Sequence, residues 1–340
     1  MEKVLVGLSG GADSALTALL LREQGYEVFG AYLSFCPLSD PTGAKRVAEK
    51  LGIPLSVVHR EKAFREKVIR PFVRTYCSGK TPNPCVECNR RMKIPELLKE
   101  ADRLGIEKVA TGHYARVERD PSGRMILKKG KDEKKDQSYF LWKLTQKQLA
   151  RILFPLEDKE KAKEAPRIAG LLEKKQKESM EICFIPDQNV QKFIAENGGE
   201  LLHGGTIVDV SGKVLGNHDG IFRYTVGQRR GLGVAMGERY FVTEIRPETS
   251  QVVLGKEEDL LVRSLRVEKI HFVSATPKTL PREGICMKGR HRGQAIPCDL
   301  EWCGREVKVH FPEPIRAFSP GQSACFYEGE RLLFGGIISR

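Results

Sequence analysis

The stretch Lys3-Val-Leu-Val-Gly-Leu8, followed at once by Ser9-Gly10-Gly11-Ala12-Asp13-Ser14 and then by a run carrying Leu16, Leu19 and Leu20 on one face, constrains this chain more than any other segment. It reads as a strand, a tight loop and a helix start. Two adjacent glycines let the backbone approach an anion closely, Ser9 and Ser14 offer hydroxyls, and the free amides of the helix start face the ligand. A plain helix cap uses Asp13 and Ser14 alone and has no need of paired glycines. The loop lacks the Lys-Ser/Thr ending of a Walker A motif and the Gly-x-Gly-x-x-Gly of a dinucleotide fold, so a third type of phosphate loop is expected.

The rest of the first third repeats the same rhythm. Apolar runs at 4–8, 28–33, 55–59 and 108–112 alternate with helical patterns at 15–23, 44–51 and 94–104, and these helices close at Gly25, Gly52 and Gly105. Alternation of this kind predicts an α/β domain built on a parallel sheet. A hairpin tip is expected at Pro121-Ser122-Gly123, a basic helical region over 145–178 broken at Pro155 and Pro166, and a short strand over 181–185. Glycine then becomes dense, which predicts a small β-rich central domain over 196–260. Runs at 264–272, 306–311, 323–327 and 332–338, separated by Pro and Gly turns, predict a closed or nearly closed β-barrel over 261–340, leaving 1–195 as the first domain.

Of the 340 residues, 57 are Lys or Arg against 44 Asp or Glu, a formal charge of +13 that suits a polyanion, nucleic acid first, or simply solvates the surface. No apolar run reaches the ~20 residues of a membrane span. Met1-Glu2-Lys3 leads straight into a strand without a secretory pattern, so the cytoplasm is the expected compartment. Nine cysteines, an odd number in such a chain, argue against a disulfide framework.

In Cys77-Ser-Gly-Lys-Thr81-Pro-Asn-Pro-Cys85-Val-Glu-Cys88-Asn89-Arg-Arg-Met-Lys93, two thiols end a proline-rich loop just before a helix. Helix dipole and the cations Arg90, Arg91 and Lys93 predict a lowered pKa for Cys88 and hence a nucleophilic thiolate. The alternative is half of a zinc site completed by Cys77 or by Cys298 and Cys303. Cys183, between Ile182 and Phe184, reads by itself as an inert core thiol.

Ser-Gly-Gly-x-Asp-Ser after a first strand resembles the pyrophosphate loop of ATP pyrophosphatases, which transfer AMP to a carbonyl oxygen. Together with Thr81–Asn89, Thr111-Gly-His-Tyr-Ala-Arg116, Lys135-Asp-Gln-Ser-Tyr-Phe-Leu141, Glu181-Ile-Cys-Phe184, Tyr224-Thr-Val-Gly-Gln-Arg-Arg-Gly-Leu-Gly233 and Pro320-Gly-Gln322, it makes nearly the whole chain resemble the tRNA-specific 2-thiouridylase family. The resemblance implies an N-terminal ATP pyrophosphatase domain, a small central domain and a C-terminal β-barrel. It implies ATP bound by Gly7, Leu8, Ser9, Gly10, Gly11, Ala12, Asp13 and Ser14 with Leu33 and Gly112, and Mg²⁺ on the phosphates, with Asp13 orienting the metal or the loop. It makes Cys88 the nucleophile and Cys183 the persulfide carrier in thiolation of C2 of a tRNA wobble uridine, with a relay protein as sulfur donor. RNA contacts are implied for Asn83, Pro84, Cys85, His113, Lys135, Asp136, Gln137, Arg290, His291 and Gln322. A monomer is expected, with a dimer left open.

Two positions depart from the family pattern. Asn-Pro-Cys85 stands where relatives often carry Asn-Pro-Asp, so a thiol replaces a carboxylate, and Cys85, Cys88 and Cys183 become candidate ligands of a [4Fe–4S] cluster in an alternative mechanism. Ala15 stands where many relatives have a second serine. Competing readings are an ATP pyrophosphatase acting on a small metabolite and a zinc-bearing RNA-binding protein.

Overall fold

The computed structural model describes residues 1–339 apart from 38, 160, 173–181, 186 and 236. Its first sheet is parallel, with strands in the order Leu55–His59, Glu27–Ser34, Lys3–Gly7, Lys108–Ala110 and Ile152–Leu153. Val4, Leu5 and Val6 are fully buried because this central strand is covered by helices on both faces, as a continuous apolar run in a parallel sheet demands. The chain builds outward from Lys3–Gly7 on one side and then returns to its other side. That reversal opens a crevice at the carboxyl ends of Lys3–Gly7 and Lys108–Ala110.

The helices end where the glycines stand. Gly25, Gly52 and Gly105 all take positive φ, at 86°, 60° and 66°. Two expectations fail here. Of the helical region expected over 145–178, residues 173–178 lie outside the described ones; in the rest Thr145 caps the helix Gln146–Leu149 through a capping box, the edge strand Ile152–Leu153 intervenes, the chain turns at Pro155, and Pro166 lies inside the helix Lys161–Ile168 instead of breaking it. Residues 182–185 form a turn closed by the Ile185 N–H to the Ile182 carbonyl at 3.0 Å, not a strand, while Glu181 lies outside the described residues.

The central module is a four-stranded sheet in the order Phe241–Arg246, Gln251–Gly255, Gly205–Asp209, Val214–His218. The last sheet runs Ile296–Pro297, Ile285–Lys288, Ser323–Glu328, Arg331–Ile338, Leu261–Phe272, Glu306–Arg316, Asp299–Cys303. Its two terminal strands are separated in sequence only by Cys298, so the sheet curls until its edges nearly meet.

One feature invisible in the sequence joins the first and last domains. The hairpin Ala115–Arg119 and Met125–Lys129 pairs with Arg331–Ile338 through Lys128 and Arg331. Arg124 Nη2 donates to the carbonyls of Val273 and Ala275 at 2.9 and 2.8 Å, fixing the hairpin to the barrel. A single core then runs from Leu5 and Val109 through Leu127, Tyr139 and Trp142 to Cys325, Tyr327 and Leu332. A methyl on Gly335 would stand 2.5 Å from the Trp142 ring, so glycine is what lets the indole close this seam.

Candidate active site

The phosphate loop lies at the carboxyl end of the central strand. Ser14 Oγ donates to the Gly11 carbonyl at 2.9 Å, accepts from the Ser9 amide at 3.2 Å and lies 3.1 Å from Ser9 Oγ, which folds the loop on itself. Gly10 has φ +84°, and a Cβ there would stand 2.6 Å from the backbone of Gly43 and Ala44. Both facts require glycine. The helix Ala12–Glu23 starts directly after Gly11, leaving first-turn amides for an anion.

Thr111, Gly112 and His113 leave the end of the neighbouring strand and close against this helix start. A Cβ on Gly112 would stand 2.9 Å from the Asp13 backbone, and the Tyr114 hydroxyl donates to Asp13 Oδ1 at 3.1 Å. Tyr114, buried and two residues past Gly112, thus sets the Asp13 carboxylate, a contact that residue type alone did not reveal. His113 is buried with Nδ1 2.8 Å from Thr111 Oγ1, and burial first, then the charge of Lys93, holds its pKa well below the usual imidazole range. It is a neutral ring at pH 7.

The thiols come from two further segments. Helix Arg70–Cys77 ends at Gly79, whose φ of +68° turns the chain into the loop that leads to Asn83. Other domains hold this loop. A Cβ on Gly79 would meet Ile245 of the central module at 2.6 Å, Thr81 N–H donates to the Pro320 carbonyl at 2.7 Å, and Asn83 Oδ1 accepts the buried Ser323 amide at 2.6 Å. The helix Pro84–Cys88 then runs into a π-turn, Asn89–Lys93, and on into Ile94–Arg103. Cys183 sits in its turn beside Phe184, which packs edge-on against Phe64 and Phe72 at 5.7 and 5.3 Å.

This arrangement brings Cys85, Cys88 and Cys183 within electrostatic reach of one another and of Lys93. Cys85 and Cys183 keep contact with solvent, yet burial is the largest influence on both thiols and raises both. They line a recess. Cys88 is pushed up to about 12, by burial first, with Lys93 lowering it and the neighbouring thiols raising it again. The expected low pKa of Cys88 is therefore wrong for this state. Cys88 lies inside a continuous helix instead of at its first amides, and of the cations only Lys93 acts on it: Arg91 pairs with Glu87 at 2.7 Å, and Arg90 acts on His271.

The other expected residues divide. Leu33 lies in the strand Glu27–Ser34 and packs against the shared core. Pro84 is buried at the first turn of its helix, where its missing N–H costs nothing. Lys135 is half-buried, and Gln137 accepts the Tyr114 amide at 3.2 Å. Asp136 is not a surface residue. It is 3% exposed, its carboxylate accepts the amides of Gly130 and Ser138 at 3.2 and 3.0 Å, and Lys288 Nζ lies 3.9 Å away, so its part is to shape the loop that presents Lys135. His291 Nε2 lies 2.8 Å from the Asp136 carbonyl and its ring stacks obliquely on Phe140, bracing the same loop from the barrel. Arg290 is exposed with its guanidinium 5.6 Å over Phe318, and Gln322 Oε1 is buried without a hydrogen-bond partner among the described residues.

Among the described residues, no three His, Cys, Asp or Glu side chains are arranged to hold a metal ion. The three thiols are near one another but do not form a ligand set as they stand, so no step below passes through an iron–sulfur cluster. No helix among the described residues is long and apolar enough to cross a membrane.

Three domain families match the chain in succession: the tRNA methyl transferase HUP domain over residues 2–187, the tRNA methyl transferase PRC-barrel domain over 191–256 and the aminomethyltransferase beta-barrel domain over 262–338. Among curated proteins, the tRNA-specific 2-thiouridylase MnmA of Carboxydothermus hydrogenoformans is 43% identical, covering 100% of this chain and 98% of that protein. The proteins of the same name from Clostridium acetobutylicum and Geotalea uraniireducens are 43% and 44% identical over 99% of this chain, and over 99% and 95% of their own lengths. With this similarity running from end to end, and with the phosphate loop at the carboxyl end of the central strand, the chain belongs to the tRNA-specific 2-thiouridylase family.

Proposed function

We propose that this enzyme thiolates C2 of a wobble uridine in tRNA, using ATP to activate the carbonyl and cysteine-bound sulfur to replace its oxygen. The observation that carries this reading is the grouping of three thiols from two segments near His113, which follows the strand next to the phosphate loop. Oxygen O2 of the uridine attacks the α-phosphorus of ATP, pyrophosphate leaves, and the C2–O bond now ends in AMP. The outer sulfur of a Cys183 persulfide attacks C2. Cys88, as thiolate, attacks Sγ of Cys183, the sulfur–sulfur bond breaks toward C2, and AMP is expelled as C2=S forms. The resulting Cys88–Cys183 disulfide needs two electrons from an external thiol before the next cycle.

Each part of the fold has a place in this sequence. The Gly10–Gly11 loop and the amides of Ala12–Glu23 hold phosphate oxygens, and Mg²⁺ when bound neutralises their charge beside Asp13. Neutral His113, between the phosphate loop and Lys93, borders both the nucleotide and the base. Basic residues on the barrel and on the loop before Asp136 take the RNA backbone, while Asn83, Pro84 and Cys85 border the flipped base. A relay protein presenting a persulfide recharges Cys183, which is open to solvent.

The test incubates anaerobic protein with ATP, Mg²⁺, a persulfide source and unmodified tRNA, and quantifies thiolated nucleoside and AMP. Wild type should form thiouridine, Cys88→Ala and Cys183→Ala should not, and Cys85→Ala should retain activity. AMP release independent of RNA, with no thiolation, overturns the reading in favour of a small-metabolite synthetase.

A further inference from the structure

A tyrosine buried among apolar side chains needs a partner for its hydroxyl, and the partner it finds shows what it ties together. Tyr114 is 1% exposed and packs with Leu16 and Leu20 of the helix Ala12–Glu23 and with Leu156 and Ile168. Its hydroxyl reaches the start of that helix and donates to Asp13 Oδ1 at 3.1 Å. The segment that carries Tyr114 also closes on Asp13 through its backbone, since a Cβ on Gly112 would stand 2.9 Å from the Asp13 carbonyl carbon.

The backbone of Tyr114 is gripped by the loop 130–137. The Gln137 N–H donates to the Tyr114 carbonyl at 2.8 Å, and Gln137 Oε1 accepts the Tyr114 N–H at 3.2 Å, so one residue satisfies both backbone polar groups. At the other end of the loop a Cβ on Gly130 would stand 3.0 Å from the Tyr114 carbonyl carbon. Asp136 closes the loop on itself by accepting the amides of Gly130 and Ser138, and Lys131 and Lys134, between the two grips, are exposed.

We infer that Tyr114 is a positioning residue that links the loop 130–137 to the phosphate loop, so that RNA bound on the one and nucleotide bound beside Asp13 strengthen each other. The inference rests on the proposed RNA and nucleotide sites and adds the coupling between them. Close-packed interiors transmit a displacement because they leave no room to absorb it. A polyanion settling on Lys131 and Lys134 draws on a closed loop, the loop moves the Tyr114 backbone, and the hydroxyl sets the Asp13 carboxylate. Linkage makes the effect reciprocal: whatever factor RNA adds to nucleotide affinity, nucleotide adds to RNA affinity.

Isothermal titration of α,β-methylene-ATP with Mg²⁺, an analogue that resists cleavage between its α- and β-phosphates, reads the coupling with and without saturating unmodified tRNA that carries a wobble uridine. Wild type should bind the analogue about fivefold or more tighter when tRNA is present. Tyr114→Phe removes the hydroxyl alone. Without tRNA it should bind the analogue about fivefold or more weaker than wild type, because a hydrogen bond to a charged group is lost. Saturating tRNA should then change its affinity by less than about twofold. Asp13→Ala combined with Tyr114→Phe should bind no more weakly than Asp13→Ala alone, since a residue acting through Asp13 has no effect once the carboxylate is gone. Thermal unfolding establishes that each variant is folded; if Tyr114→Phe is not, Gln137→Met, which removes the side-chain half of the grip, takes its place in the tRNA comparison. A wild-type coupling ratio kept by Tyr114→Phe, additive losses in the double variant, or no effect of tRNA on wild type overturns the inference and leaves the phosphate-loop reading standing. No binding of the analogue by wild type overturns that reading as well.

Discussion

Gly321 and Gly329 both hold positive φ, at +91° and +57°, and both flank the strand Ser323–Glu328, but only one of them touches the thiol loop. A Cβ on Gly321 would stand 2.9 Å from Lys80 Cβ and 3.0 and 3.1 Å from the backbone N and O of Thr81, whereas nothing lies within 4 Å of a Cβ on Gly329. Placing alanine in the left-handed region costs about 1–2 kcal/mol at either position. Forcing atoms into packed backbone adds about 1–3 kcal/mol at Gly321 alone. Gly321→Ala should therefore destabilise by about 2–5 kcal/mol and Gly329→Ala by about 1–2 kcal/mol. Urea denaturation followed by tryptophan fluorescence suits the comparison, since of the two tryptophans Trp142 packs at the barrel seam and Trp302 stacks on Phe272 within the barrel. Because the clash pushes on Thr81, Gly321→Ala should also lose thiolation while ATP binding persists. Equal destabilisation of the two variants, or full thiolation by Gly321→Ala, would refute the idea that the barrel clamps the thiol loop.

Gly10→Ala should abolish ATP binding in isothermal titration, since its Cβ meets the Gly43 and Ala44 backbone at 2.6 Å; retained affinity contradicts the loop assignment. Asp136→Asn leaves Lys288, 12% exposed, without its anion and should cost about 3 kcal/mol in urea denaturation, with thiolation per folded molecule little changed. Cys88 supplies a pH signature: its folded pKa of about 12 lies above that of the unfolded thiol, so its contribution is complete below about pH 9. It is lost as the unfolded chain deprotonates first between there and pH 12. Cys88→Ala should therefore lose less stability than wild type between pH 8.5 and about 10.5, and parallel curves would contradict the burial of this thiol. Truncation to residues 1–260 should give an aggregated or non-cooperative product, because Leu127, Tyr139 and Trp142, all fully buried, lose their cover; a cooperative unfolding transition would show that the shared core is dispensable.

Local chemistry made much of this molecule legible from its sequence. The phosphate loop and the helix ends follow from glycines whose φ is positive, a property of single residues. Strand positions in the first sheet follow from apolar runs and differ from expectation by one or two residues at their ends. What stayed hidden is non-local or very short. Two-residue strands such as Ile152–Leu153 and Ile296–Pro297 show no periodicity, and nothing in the hairpin around Gly123 announces that it pairs with the last strand of the chain. Asp136 looks like a loop carboxylate within a charge run, and its burial depends on Lys288, which arrives about 150 residues later. The Cys88 error has the same origin. Dipole and cation arguments use near neighbours, while desolvation is imposed by Phe64, Phe72 and Phe184, which pack with Cys88 from elsewhere in the chain.

These long-range contacts also account for the three-part architecture. A phosphate loop needs only a strand, a helix start and two glycines, all supplied within the first domain. The thiol loop is different, because its hold on geometry is borrowed: Ile245 of the central module seats against Gly79, and Pro320, Gly321 and Ser323 of the barrel fix Thr81 and Asn83. On the proposed mechanism the attacking thiol is Cys88, and a thiol pushed up to about 12 by burial is nearly inert toward stray electrophiles at neutral pH, since only the thiolate reacts. A displacement of about 1 Å between reacting groups costs on the order of a hundredfold in rate, so in the proposed mechanism rigid clamps from two further domains serve the chemistry as well as the RNA grip.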